Sequence, residues 1–212
     1  MNITISGLSG SGTTTIGKLL AKKQCMEFVS TGELFRKHAE SRGMSLTEFR
    51  KICEKDPEID RMLDLRQKEL SDTMNSTVFE GRIAGFKCNA KIKVWVFAPE
   101  SIRSKRIAKR EGSKIDVVLE KMKTRDFYDS KRYKKYYDID ITDTSIYDVI
   151  IDSSKGTPEN AVEKILEKFK NHESSMRPRP KGRGLFGSVS SPTTVNSDLK
   201  NGVSTVVDYK KI

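Results

Sequence analysis

The feature that most constrains the fold is a glycine-rich loop near the amino terminus. It joins an alternating, strand-like run, Asn2–Ser6, to a helical pattern over Thr14–Lys23. Gly7 and Gly12 frame the loop at the spacing of a phosphate-binding loop. Glycines let the backbone curl until successive amides point inward, and the helix that follows presents the positive end of its dipole. This succession predicts a polyphosphate site and argues against a glycine-rich turn without a ligand.

Two threonines follow the loop and raise a question about its chemistry. Thr14 occupies the position whose hydroxyl contacts magnesium in such loops, while Thr13 occupies the position of the usual lysine. Because phosphoryl transfer depends on neutralising negative charge, the absence of this cation should weaken catalysis. Either arginines from elsewhere in the chain supply the charge, or the loop binds phosphate without catalysing transfer.

Strand and helix signals alternate through the first part of the chain. The predicted strands are Asn2–Ser6, Glu27–Ser30, Thr77–Glu80, Ile92–Ala98 and Asp148–Asp152. Capping residues predict helix starts at Ser45, Asp56-Pro57 and Thr157-Pro158. Such alternation is typical of an α/β fold, here a doubly wound, parallel five-stranded sheet of the P-loop NTPase type.

The third predicted strand ends in Glu80-Gly81-Arg82. In a parallel sheet, that end faces the same crevice as the glycine-rich loop. We expect Glu80 to hold a magnesium-bound water and Arg82 to contact the phosphate of an acceptor. The alternative for Glu80 is an ordinary surface carboxylate in a turn.

A second group of charged residues follows the fourth predicted strand at helical spacing. Its members are Arg103, Arg106, Lys109, Arg110, Arg125, Asp129 and Arg132. A helical hairpin over about 100–137 would carry these side chains as a lid that excludes water and brings positive charge to a transferring phosphate. The alternative is a solvated basic helix.

The segment at about 32–75 contains only helical signals, which suits a separate acceptor-binding unit. Ser30 precedes its first helix, and Arg36 lies one turn in. Both would face an acceptor, although capping alone explains the serine. Three charged residues are candidates for contacts with a base: Asp60, Asp64 and Arg66. The sequence supplies no code for the base itself.

Composition limits the partners. The chain has 212 residues and a formal net charge of +11, which raises nucleic acid as a partner. An enzyme that binds polyphosphates also needs many cations. We therefore expect no nucleic-acid binding by the folded part, and consider it only for residues 174–212. That segment is rich in arginine, proline, glycine and serine, and is predicted to be a disordered basic tail behind a globular domain at 1–173.

The apolar runs, the first residues and the cysteines indicate where in the cell the protein acts. No apolar run approaches the roughly 18–20 residues that span a membrane, and Met1 leads into a strand pattern, unlike a signal peptide. Cys25, Cys53 and Cys88 fit neither a disulfide framework nor a zinc site. We expect a cytoplasmic monomer that makes no contact with membranes.

From residue 1 to about 170, the chain resembles the archaeal-type (type 2) cytidylate kinases of the nucleoside monophosphate kinase family. The matching stretches are Ile3–Thr15, Ser30–Arg36, Arg42–Leu46, Asp56–Asp60, Glu80–Gly85, Arg106–Gly112, Arg132-Tyr133, Asp138–Asp140 and Tyr147-Asp148. Threonine at position 13 is itself a feature of that group. The absent lysine therefore does not argue strongly against activity.

The resemblance implies a kinase domain at 1–173 that transfers the γ-phosphoryl group of ATP to CMP or dCMP with Mg²⁺. It implies ATP contacts by Gly7, Leu8, Ser9, Gly10, Ser11, Gly12, Thr13, Thr14, Thr15, Arg106 and Arg110. Acceptor contacts would come from Ser30, Arg36 and Arg82, and catalytic charge from Arg82, Arg125, Asp129 and Arg132. Thr14 would contact the metal directly, and Glu80 through water.

The expected mechanism is direct in-line transfer without a covalent intermediate or a catalytic histidine or cysteine, because an acceptor phosphate is already anionic near neutral pH. Two alternatives remain. The first is a kinase for another nucleoside monophosphate, such as UMP or AMP, on the same scaffold. The second is a nucleotide-dependent nucleic-acid-binding protein, suggested by the basic composition.

Overall fold

A computed structural model describes residues 1–176 of the chain. It contains five strands: β1 (Ile3–Ser6), β2 (Glu27–Ser30), β3 (Thr77–Glu80), β4 (Ile92–Phe97) and β5 (Val149–Asp152). Its helices are α1 (Thr13–Lys23), α2 (Thr31–Ser41), α3 (Leu46–Lys55), α4 (Pro57–Thr73), α5 (Ala84–Lys87), α6 (Glu100–Glu111), α7 (Ile115–Tyr137) and α8 (Pro158–Met176). The predicted strands agree with these bounds to within one residue at each end.

The strands form one parallel sheet in the order β2-β3-β1-β4-β5, which confirms the predicted sheet. Helices cover both faces. On one face, α1 and α8 pack against Ile3, Ile5 and Val94. On the other, α2, α4 and α5 pack around Phe79 and Val29. Because neighbouring residues of a strand point to opposite faces, Val78 and Phe79 belong to different cores.

Capping residues fix where the helices begin. Ser45 and Glu48 form the predicted capping box before α3, with N–H···O distances of 3.2 and 2.9 Å. Asp56 accepts a bond from the amide of Glu58 at 3.0 Å, ahead of Pro57 in the first turn of α4. The second of these caps separates α3 from α4.

The last helix runs to Met176, about two turns beyond the expected end near Lys170. Residues 177–212 lie outside the described part of the chain, so the disordered basic tail stays a prediction. Within residues 1–176, no helix is long and apolar enough to cross a membrane.

Candidate active site

The glycine-rich loop follows β1 and leads into α1. Gly10 and Gly12 have φ angles of 82° and 93°, in the left-handed region that glycine tolerates best. Gly7 is restricted by close packing, because a Cβ there would lie 2.2 Å from the carbonyl oxygen of Val96 in β4. These glycines therefore hold a tight loop against the end of the sheet, as the spacing predicted.

The outer side of the loop is held by its carbonyl groups. Arg103 Nη1 donates to the carbonyl of Ser9 at 3.2 Å. Arg106 Nη1 donates to the carbonyl of Gly10 at 3.3 Å, and the Ser153 hydroxyl donates to the carbonyl of Ser11 at 2.6 Å. Since these carbonyls point outward, the loop can turn its amides inward, and the unpaired amides of the first turn of α1 add further donors.

A cleft of about 350 Å³ opens beside the first turn of α1. Arg106 and Arg110 line one side, and the turn between β5 and α8 lines the other. Sequence reasoning missed this second wall, including Ser153, Lys155 and Asn160. The rule that ligands bind at the carboxyl ends of parallel strands could have found it, because the turn follows β5 directly.

Thr13, at the position of the usual loop lysine, contacts the end of β3. Its side chain is buried, and its hydroxyl donates to Glu80 Oε1 at 2.7 Å. Ser30 donates to the other carboxylate oxygen of Glu80 at 2.5 Å, while its own oxygen accepts a bond from the amide of Glu33 at 3.3 Å. One carboxylate thus links the glycine-rich loop to the start of α2.

The residues around the loop suit a magnesium ion that arrives with a triphosphate. Thr14 is exposed in the first turn of α1, and Glu80 places a carboxylate beside the preceding residue. Among residues 1–176, no group of three or more histidine, cysteine, aspartate or glutamate side chains could hold a metal ion. Magnesium needs only one or two protein carboxylates when phosphates and water complete its octahedral shell.

Arg82 connects three parts of the molecule. Its Nη2 donates to the hydroxyl of Ser9 in the loop at 2.8 Å. Its Nη1 lies 2.6 Å from Asp129 and 3.1 Å from Asp126, both on α7. The side chain is only 10% exposed, so its position is fixed by charge-assisted contacts on both sides.

Other cations surround the same two aspartates. Arg103 Nη1 lies 2.8 Å from Asp126, while Arg132 Nη2 and Arg125 Nε lie 3.3 and 3.7 Å from the two oxygens of Asp129. Four arginines thus surround two carboxylates at the mouth of the loop. Sequence reasoning missed Asp126, although its spacing of three residues from Asp129 puts both on one side of a helix.

Two predicted site residues stand apart from these contacts. Arg36 is exposed on α2, and a Cβ on Gly32 would lie 3.7 Å from its Nη1 and 3.5 Å from the Ser30 hydroxyl. It therefore lies at the same helix start as Ser30. Arg110 is exposed at the far end of the cleft and pairs with Glu111 at 3.0 Å.

The candidates for base contacts on α4 differ in their burial and in their partners. Arg66 forms a surface pair with Glu69 at 3.3 Å, and the side chain of Asp60 lies outside the described part of the chain. Asp64 is 8% exposed and accepts a bond from the Tyr137 hydroxyl at 3.1 Å. Burial raises the pKa of Asp64 to about 7, against the opposing effects of Tyr137 and Lys87.

We expect Asp64→Asn to stabilise the protein at about pH 8 by roughly 2–4 kcal/mol, with a smaller gain near pH 4.5. A raised native pKa means that the folded state binds a proton more tightly than the unfolded state. The contribution of Asp64 to stability is therefore largest below its ordinary pKa of 3.8 and is lost as the pH rises through about 7. Urea unfolding of variant and wild type at both pH values measures the difference.

The matched control is Asp72→Asn, an exposed aspartate on the same helix that pairs with Lys68. It should not gain stability with rising pH. An equal effect of Asp64→Asn at both pH values would show that the carboxyl is not strained by burial.

The chain matches a known protein family over most of its folded part. The model of the cytidylate kinase-like family matches residues 2–155. A cytidylate kinase of Archaeoglobus fulgidus is 45% identical over 168 residues, covering 79% of this chain and 93% of that protein. A cytidylate kinase of Pyrococcus abyssi is 49% identical over 158 residues, covering 74% and 87%.

Solved structures with lower identity share the fold. The shikimate kinase of Acinetobacter baumannii superposes with a TM-score of 0.55 at 18% identity, covering 81% of this chain and 94% of that chain. A gluconokinase of Sinorhizobium meliloti gives a TM-score of 0.52 at 16% identity, covering 83% and 97%. Together, the family match across most of the folded part and the two close relatives show that the chain belongs to the cytidylate kinase-like family.

Proposed function

We propose that this protein transfers the γ-phosphoryl group of ATP to CMP, and to dCMP, with Mg²⁺. The observation that carries the proposal is the position of Arg82. It contacts the glycine-rich loop through Ser9 and the α6–α7 hairpin through Asp126 and Asp129. A cation between a donor loop and a closing hairpin lies where charge develops during phosphoryl transfer. The names of the relatives support CMP as the acceptor.

The donor would bind with its phosphates on the loop. Gly7 to Thr15 supply inward amides and the positive end of α1, and the neighbouring cleft takes the nucleoside between Arg106 and the β5–α8 turn. Arg106 already holds that turn through Ser153, with distances of 2.8 and 2.7 Å to its hydroxyl and carbonyl oxygens. The arginine therefore joins the donor loop to the wall of the cleft.

The acceptor would bind on the other side of Arg82. Ser30 and the exposed Arg36 provide a hydroxyl and a cation at the start of α2, and Glu80 lies between them and the loop. We assign α2–α4 to acceptor binding on this basis. The Ser30 hydroxyl has a single proton, which Glu80 now accepts. Rotation of the side chain would redirect that proton to an acceptor phosphate without moving the backbone.

The hairpin α6–α7 would act as the lid. Arg125 is 51% exposed, and Arg132 is 23% exposed, so both can turn toward a phosphoryl group when the hairpin closes. Asp129 forms ion pairs with both and with Arg82, and so orients three guanidinium groups. Closure would remove water and strengthen these interactions.

Chemistry then needs no general base from the protein. An acceptor phosphate is anionic near neutral pH, so direct in-line attack requires alignment and charge neutralisation. A magnesium ion, held by Thr14 and through water by Glu80, would supply part of that neutralisation when it is bound with ATP. The arginines around Asp126 and Asp129 supply charge that a lysine at position 13 would otherwise contribute.

Location and assembly belong to the same proposal. All three cysteines are free thiols, with Cys25 exposed and Cys53 and Cys88 buried. Unpaired, buried thiols support a reducing compartment. We propose a cytoplasmic monomer, which sedimentation would test.

The direct test is product analysis. Purified protein incubated with ATP, CMP and magnesium should form CDP and ADP in equal amounts, and removal of the metal with a chelator should stop the reaction. ADP formed without CDP would indicate ATP hydrolysis and would refute transfer to CMP. Activity that survives complete chelation would refute the role given to magnesium.

A further inference from the structure

The helix α4 crosses from one end of the sheet to the other. Near its carboxyl end, the carbonyl of Ser71 accepts a bond from Asn2, which precedes β1, at 3.0 Å. One turn earlier, Gln67 donates to the carbonyl of Glu80, the last residue of β3, at 2.9 Å. The amino-terminal half of α4 therefore projects beyond the carboxyl edge of the sheet, over the crevice.

Asp64 lies on this projecting half. It precedes Gln67 by three residues, so it shares the face that meets the sheet and lies about 4.5 Å farther along the helix axis. The end of α7 covers it, because Tyr137 donates to Asp64 and Arg61 lies over the ring of Tyr136 at 5.8 Å. Asp64 is thus held between the acceptor-binding helices and the lid.

This position is costly for a carboxylate. Among the side chains that the structure describes, Asp64 is the only buried acidic one, and none of them forms an ion pair with it within 4.0 Å. Lys87 places its ammonium group 3.5 Å from the centroid of the Tyr137 ring and not on the carboxylate. The single bond from Tyr137 leaves most of the acceptor capacity of Asp64 unused. A buried acceptor of this kind calls for a donor.

We propose that Asp64 reads the base of the acceptor nucleotide by accepting a hydrogen bond from the exocyclic amino group of cytosine. The inference rests on the proposed function, since Ser30, Arg36 and Arg82 would fix the acceptor phosphate on the same side of the crevice. The base then extends from the sheet edge toward α4, where Asp64 is buried.

The chemistry of the two pyrimidines gives the proposal its specificity. Cytosine presents an amino group at this edge, which donates to a carboxylate. Uracil presents a carbonyl oxygen at the same place, which a carboxylate repels. A site that leaves a buried polar group unpaired discriminates strongly against the wrong ligand.

The test compares CMP and UMP as acceptors for wild type, Asp64→Ala and Asp64→Asn. Asp64→Ala should raise the KM for CMP at least tenfold and lower the ratio of kcat/KM for CMP over UMP at least tenfold, with the KM for ATP changed less than threefold. Asp64→Asn keeps the shape, so it preserves the fold if alanine does not. Its amide can donate to the carbonyl of uracil, and it should shift the preference toward UMP.

Two controls separate base reading from a structural role. Tyr137→Phe removes the contact between α4 and α7 and should keep the preference for CMP, while Asp72→Asn on the outer side of α4 should change nothing. An unchanged CMP/UMP ratio in both Asp64 variants, with an active wild type, would overturn this inference alone. A wild type that phosphorylates no CMP would overturn it together with the proposed function.

Discussion

Replacing Arg82 by alanine is expected to lower kcat with CMP roughly a hundredfold, which corresponds to about 2.7 kcal/mol of barrier. The guanidinium contacts Ser9 of the loop and Asp126 and Asp129 of α7 at 2.6–3.1 Å. Its removal takes away the link between the glycine-rich loop and α7 and, under the proposed function, a cation beside the transferring group. Steady-state rates at saturating ATP, with circular dichroism to verify folding, measure the effect.

Arg82→Lys and Arg66→Ala complete this experiment. Lysine keeps the charge but cannot reproduce the two-sided contact of a planar guanidinium, so we expect an intermediate loss. Arg66 is an arginine on the surface of α4 that pairs only loosely, at 3.3 Å, with Glu69, and its removal should be silent. If Arg82→Ala retained more than a third of wild-type turnover, the role of Arg82 in transfer would be wrong.

Gly7→Ala is expected to abolish ATP binding or folding. The added Cβ would lie 2.2 Å from the carbonyl oxygen of Val96 and 2.9 Å from Thr13 Cγ2. The first obstacle is backbone in the middle of the sheet and cannot move aside, so the loop must shift away from β4. Urea unfolding and calorimetric titration with ATP should show a loss of several kcal/mol in stability or at least a hundredfold weaker binding.

Gly112→Ala is the matched control for this substitution. Gly112 has φ of 63° but nothing within 4 Å of an added Cβ, so alanine there bears only the cost of the left-handed backbone, about 1–2 kcal/mol. It should bind ATP normally. If Gly7→Ala were no more harmful than Gly112→Ala, the tight packing of the loop against β4 would not matter for nucleotide binding.

Local sequence patterns were sufficient for much of the fold. Strand alternation and the caps at Ser45 and Asp56 depend on neighbours in the chain, and the structure has these elements where the sequence predicted them. The glycine spacing likewise located the loop, because the curled backbone depends on the conformational freedom of glycines close together in the chain. The parallel arrangement of the strands also follows from the alternation of strands and helices, whereas their order in the sheet does not.

The contacts between side chains across the crevice could not be predicted from local sequence patterns. The sequence does not distinguish the charged candidates on α4, which are Asp60, Asp64 and Arg66. Only the packing of α4 against β3 and α7 buries Asp64. The hydroxyl of Thr13 meets Glu80 across a separation of 67 residues. Such contacts depend on tertiary geometry, for which a single sequence carries no local signal.

The most direct test of the acceptor is a comparison of kcat/KM for CMP, dCMP, UMP, AMP and GMP with magnesium and ATP in excess. We predict that CMP and dCMP are phosphorylated at least tenfold more efficiently than the other three. Against UMP, the difference follows from the buried carboxylate of Asp64, which accepts from the cytosine amino group and repels the uracil carbonyl. An enzyme that preferred UMP or AMP would belong to the same scaffold with another acceptor. That result would contradict the proposal that this protein is a kinase for cytidine monophosphates.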